Sequence, residues 1–135
     1  MQKIIITLLF FLTTLSAELI HKYPTQKLID SKLPIVDIRT PAEWIETGII
    51  KDAIPIMFFN EQGKFDINTF LTQLNKKVDT SKKFAIICRT ASRTKMVGEY
   101  LSGELNYKVT NLLGGMVYVK AKNLTITPYK YKKSR

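Results

Sequence analysis

The apolar run Phe84-Ala85-Ile86-Ile87 stops at Cys88, the only cysteine of the chain. Four apolar residues rich in branched side chains read as a strand buried on both faces. Small and hydroxylated residues follow between two arginines, Arg89-Thr90-Ala91-Ser92-Arg93-Thr94, and a helix-like segment runs from Lys95 to Leu105. A strand, a tight loop and a helix in that order place the thiol at a strand tip facing a helix N-terminus. Free main-chain amides and the helix dipole favour negative charge there, and cations beside a thiol favour its ionised form. This is the pattern of a reactive nucleophile, not of a packing cysteine.

The other segments alternate in the same way. Leu33-Pro34-Ile35-Val36-Asp37-Ile38 suits a buried parallel strand, and Thr25 to Ser31 a short helix or turn with Leu28 and Ile29 inward. Thr40-Pro41-Ala42-Glu43 is a helix start with cap, first-turn proline and capping box, and the brief helix ends near Gly48. Ala53 to Ile56 reads as a short or edge strand, because Pro55 lacks a donor. Asn60 to Gly63 is a turn, and Ile67, Phe70, Leu71 and Leu74 recur at helical spacing. In the helix after Cys88, Met96, Val97, Tyr100 and Leu101 form the expected inner stripe. Lys108 to Leu112 is a further strand closed by Gly114-Gly115, with a last short helix near Met116. Strands alternating with helices imply one α/β domain with an open, mostly parallel sheet flanked by helices. Sites in such sheets form where strand carboxyl ends meet helix N-termini, which is where Cys88 falls.

The expected domain spans residues 18–127, between a leader (1–17) and a basic, loose tail (128–135). Lys3, the apolar run Ile4 to Leu12 and the small residues up to Ala17 have the three-part layout of a cleavable secretory signal peptide; a retained membrane anchor is the alternative. Export implies a periplasmic location and an oxidising compartment. There a lone cysteine is either an intermolecular bridge or a free thiol, and the strand-tip setting favours the thiol. The net charge is +10, concentrated at Lys76 to Lys83 and in the tail. It fits attraction to anions or an acidic partner, or a solvated loop and a frayed terminus. No aromatic-interleaved basic motif points to nucleic acid.

His21, the only histidine, is far in sequence from Cys88 and reads as a surface residue, so a Cys–His protease or acyltransferase is poorly supported. One cysteine and one histidine make no common zinc site, and no cofactor is expected. Backbone N–H groups of a loop curled around the sulfur would form an anion nest. Cysteine-dependent phosphatases close a loop one residue longer than the span from Cys88 to Arg93; the tighter ring suits a single sulfur atom better than a phosphoryl group.

The chain resembles a single-domain rhodanese, a sulfurtransferase of exported bacterial type. Cys88-Arg89-Thr90-Ala91-Ser92-Arg93-Thr94 is similar to the family's active-site loop. Val36 to Trp44 resembles its D-x-R-x-x-x-E-[FWY] segment, Gly48 to Ile54 its G-H-I-x-G-A segment, and Leu112-Leu113-Gly114-Gly115-Met116 its L-x-G-G strand end. Departures are Ala91 for the loop glycine, Ile49 for histidine, Asp52 for glycine, and Tyr118 near a frequent tryptophan. Alanine in that loop predicts a negative φ at Ala91.

The resemblance implies ping-pong transfer of a sulfane sulfur from a donor such as thiosulfate or polysulfide to cyanide or a thiol, through a Cys88 persulfide. The amides from Arg89 to Arg93 would hold the persulfide charge. Arg93, with Arg89, would attract the anionic donor. Asp37 and Arg39 are expected to brace the loop or sheet end, Trp44 to be a core or rim aromatic, and Thr94 and Ser92 to donate to the sulfur or cap the helix. The alternatives are a periplasmic sulfur carrier that hands polysulfide sulfur to a periplasmic or membrane protein of sulfur metabolism, and an idle rhodanese-like docking module.

Overall fold

The computed structural model describes residues 17–131; the leader up to residue 16 and the last four tail residues lie outside them. The elements in order are β1 (Ile20–Lys22), α1 (Gln26–Asp30), β2 (Ile35–Asp37), α2 (Pro41–Thr47), β3 (Ile49–Ile50), β4 (Ile54–Pro55), α3 (Ile67–Lys77), β5 (Phe84–Ile87), α4 (Ser92–Gly103), β6 (Val109–Leu112), α5 (Gly115–Ala121) and β7 (Ile126–Thr127). Five strands form one sheet in the order β1-β6-β5-β2-β4, and β3 pairs with β7 in a small second sheet. Every pairing in the larger sheet is parallel, with Ile86 opposite both Val36 and Asn111. The fold is therefore the mixed α/β architecture with a mostly parallel sheet that the alternation implies.

The three inner strands are built from side chains that are all buried. Their alternate residues feed two cores, one on each face. Val36, Ile86 and Cys88 pack with Phe70 and Leu74 of α3 and Val97 and Leu101 of α4. Ile35, Ala85 and Ile87 pack with Ile29, Trp44, Met116 and Val119. Pro55 sits on the outer strand, where its missing donor costs no ladder bond. The capping box at α2 is complete: the Glu43 N–H donates to Thr40 Oγ1, and the Glu43 carboxylate accepts from the Thr40 N–H.

Three expectations need correction. Helix α4 begins at Ser92, three residues before Lys95, so the loop is shorter than the sequence suggested. Met96 is 57% exposed, while Val97 and Leu101 form the buried stripe with Tyr100 partly covered. The tail is not loose at its start, because the Tyr129 ring meets the buried Trp44 edge-on at 5.4 Å. Among the described residues no helix is long and apolar enough to cross a membrane.

Candidate active site

Strand β5 delivers Cys88 to the carboxyl end of the sheet, and α4 leaves from the same loop four residues later. Helix α5 fixes the loop's back: the Met116 N–H donates to the Cys88 carbonyl at 2.9 Å and the Val117 N–H to the Arg89 carbonyl at 3.1 Å. A Cβ on Gly115 would stand 2.5 Å from both carbonyl oxygens, at a φ of +58°. Glycine is required there by close approach as well as by backbone sign. With its carbonyls tied outward, the loop keeps its N–H groups free. None of those from Arg89 to Arg93 donates in the turn and cap hydrogen bonds.

Ala91 contradicts its expectation. Its φ is +74°, in the left-handed region, and it caps α4 without a side-chain hydrogen bond. The loop keeps the conformation a glycine would adopt freely, and the alanine bears a cost of about 1 kcal/mol. The surrounding bonds from α5 over-determine the turn and hold it there.

Cys88 is wholly buried and packs with the apolar core of Val36, Ile86 and Val97. Among the described residues the one hydrogen-bond partner of Sγ is Thr94 Oγ1 at 3.5 Å. Thr94 also donates to Asn111 Oδ1 at 2.5 Å, and Asn111 Nδ2 lies 3.1 Å from His21 Nδ1. The histidine that sequence separation set apart from Cys88 is exposed, as expected, yet three hydrogen bonds from the sulfur. Asn111 gave no signal of its own in its strand; only the register of β1 on β6, His21 opposite Asn111, brings the two together.

Two arginine–carboxylate pairs flank the loop. Arg39 and Asp37 form a fully buried pair, with Arg39 Nη2 2.8 Å from Asp37 Oδ2. Arg39 also donates to the Gly48 carbonyl and to Thr47 Oγ1, so it binds β2 to the far end of α2. Arg39 lines the cleft that Arg89 borders, but its charge is paired with Asp37. Arg93 is not a free cation either: it donates to both Glu43 oxygens, at 2.9 and 2.6 Å. Glu43 was legible as a cap residue, but nothing in its local sequence announced an ion pair with a residue fifty positions on. Partial burial works against its ionisation, but hydrogen bonds from Arg93 and Thr40, with the Arg93 charge, outweigh it and bring the carboxyl from 4.5 down to about 2. The hydrogen bonds to Glu43 push Arg93 up against its own burial, helped by the nearby carboxylate charge.

Arg89 and Thr90 are exposed on the loop, and the Thr90 hydroxyl is 3.3 Å from the Ser92 hydroxyl. Arg89 borders a small cleft of about 220 Å³, shared with Glu43, Glu46, Met116 and Lys120. An anion arriving at the loop meets Arg89 and Lys120 first.

The model of the Rhodanese-like domain matches residues 21–122. Among solved structures, a rhodanese-like domain protein from Staphylococcus aureus is 29% identical, with 75% of this chain and 88% of that one covered at a TM-score of 0.55. A protein from Staphylococcus saprophyticus is 27% identical over 70% of this chain and 89% of that one, at a TM-score of 0.50. The polysulfide-sulfur transferase homodimer of Wolinella succinogenes is 21% identical over 81% of this chain and 78% of that one, at a TM-score of 0.61, a likeness of fold. No sequence among the curated proteins matches. The family match covers the sheet, both flanking cores and the whole Cys88 loop: the chain belongs to the rhodanese-like domain family.

Proposed function

We propose that the protein is a sulfurtransferase that carries a sulfane sulfur on Cys88. The observation that carries this reading is the loop itself: a sole cysteine at the end of β5, loop carbonyls tied to α5, and five successive N–H groups left without a turn or cap acceptor. Such a set of donors suits an anion. The Cys88 thiolate attacks the outer sulfur of thiosulfate. A new S–S bond forms, and the old one breaks with its electron pair leaving on sulfite. Cyanide or a thiolate then attacks the outer persulfide sulfur and releases the Cys88 thiolate, so the protein ends unchanged. Polysulfide serves as donor by the same exchange, with a shortened polysulfide as leaving group. Arg89 is the cation offered to the donor, while Arg93 holds the loop through Glu43.

Thiocyanate formation from thiosulfate and cyanide tests the reading. The parent protein is expected to turn over and Cys88→Ser to be inactive; activity surviving in Cys88→Ser would defeat the covalent route.

The burial of Cys88 favours a second reading, a carrier that shields its sulfur and passes it to a protein partner. A carrier would gain sulfur from polysulfide yet release thiocyanate slowly. Export through the leader at residues 1–17 belongs to the same proposal and places this exchange in the periplasm. Finding the full-length chain in the cytoplasmic fraction, with its first residues intact, would contradict it.

A further inference from the structure

Thr94 and Asn111 are buried, at 0% and 1% exposure, and connect Cys88 Sγ to the exposed imidazole of His21 through three hydrogen bonds in series. Every bond in the series has a direction. With neutral His21 accepting at Nδ1, the Asn111 amide donates to the histidine, its oxygen accepts from Thr94, and the Thr94 oxygen is left to accept an S–H. That direction suits the thiol. A thiolate or persulfide needs the reverse: Thr94 donating to sulfur, the Asn111 amide donating to Thr94, and its oxygen accepting from His21. A half-turn of the amide exchanges its oxygen and nitrogen in the same space. The reversed series needs a proton on His21 Nδ1; the neutral ring has one there only in its Nδ1–H tautomer, whereas the imidazolium always has one.

We infer that His21 is a positioning residue for Cys88: its protonation reverses the hydrogen-bond series and turns the Thr94 hydroxyl toward the sulfur. The inference rests on Cys88 being the sulfur-carrying nucleophile. One S–H bond breaks and one N–H bond forms, and no heavy-atom bond changes. The thiol proton leaves to solvent, the Thr94 hydroxyl hydrogen rotates from Asn111 to sulfur, the amide turns, and His21 takes one proton from solvent. The charged groups on the segments nearest β1 are Glu18 and Lys22 beside His21, Lys108 just before β6, Arg93, Lys95 and Glu99 on α4, Arg89 on the loop, and Lys120 and Lys122 at the end of α5, whose Tyr118 packs on Tyr23; β6 itself has none. Arg93 is taken up by Glu43.

The test is the rate of Cys88 alkylation by iodoacetamide across pH, for wild type and His21→Ala, which alters an exposed strand residue. Wild type is expected to rise in two steps and His21→Ala in one. A hydrogen bond gained by the thiolate makes wild type about fivefold faster at about pH 6, with the gap closing to within about twofold at about pH 9. His21→Gln, which keeps a hydrogen-bonding side chain without the titration, should also give one step, and it stands in if His21→Ala fails to fold. Superimposable profiles, or a rate ratio constant with pH, would overturn the inference. Alkylation needs no sulfur donor, so the outcomes separate. A two-step profile without thiocyanate formation keeps the relay and removes the sulfurtransferase reading; thiocyanate formation with a one-step wild-type profile does the reverse.

Discussion

The two arginine–carboxylate pairs beside Cys88 differ in burial, sequence separation and what they hold. Asp37 and Arg39 are two residues apart and at most 1% exposed, and their hydrogen bonds stay within β2, α2 and the turn after it. Arg93 and Glu43 are fifty residues apart, about a quarter exposed, and join the N-terminal turns of α2 and α4 across the mouth of the loop. The first pair sets the framework; the second holds the loop against it. Removing one partner from a fully buried pair strands a charge without water. Removing one from a half-wet pair lets solvent take over. The two arginines, alike in sequence, should therefore fail in different assays.

Arg39→Ala should produce the largest effect, a loss of about 3–5 kcal/mol, because Asp37 keeps its charge with no counterion and the Gly48 carbonyl loses its donor. Urea denaturation monitored by tryptophan fluorescence checks this, and a loss below about 1 kcal/mol would erase the contrast between the pairs.

Glu43→Gln should cost only about 1 kcal/mol, since the pair is partly exposed. Its signature is in the pH dependence. Glu43 titrates at 4.5 ordinarily and at about 2 in the folded protein. Between those values the unfolded chain binds more protons, so stability rises with pH. The contribution is whole above about 4.5 and is lost as pH falls through about 2. Denaturation midpoints across this window should slope less in Glu43→Gln than in the parent. The same variant frees Arg93 and should alter the KM for an anionic donor more than that for cyanide.

Ala91→Gly should stabilise by about 1 kcal/mol, since glycine reaches a positive φ without the Cβ penalty. It relaxes the turn that Arg93 and Glu43 clasp. Combined with Glu43→Gln, a shortfall from additivity would measure how far the pair opposes the strain. Met96→Lys, on the exposed side of α4, should change stability by less than about 0.5 kcal/mol; a larger loss would return Met96 to the core.

What could be read in the sequence follows what is local. Strands β2, β5 and β6 are buried on both faces; β5 is wholly apolar, and β2 and β6 are framed by branched apolar residues that mark them despite Asp37, Thr110 and Asn111. The α2 cap was legible because its partners lie three residues apart. Strand β1 was not, because Ile20, His21 and Lys22 are all exposed and leave no apolar signature at the sheet edge. Strands β3 and β7 are two residues each and exist only through their pairing with one another. At the site, Cys88 and its loop stood out by composition. The Glu43–Arg93 pair and the line from Thr94 through Asn111 to His21 did not, since each joins residues that only the folded sheet brings together. Ala91 misled for a related reason: its own preference is for negative φ, and the carbonyls held by α5 decide otherwise.

The proposed sulfur transfer requires Cys88 to carry a sulfane sulfur. Intact-protein mass measurement after exposure to polysulfide and removal of excess donor tests it most directly. Wild type should gain the mass of one or more sulfur atoms, lost again on adding cyanide, and Cys88→Ser should gain none. A wild-type protein whose mass does not change, or a Cys88→Ser protein that gains as much, would contradict it.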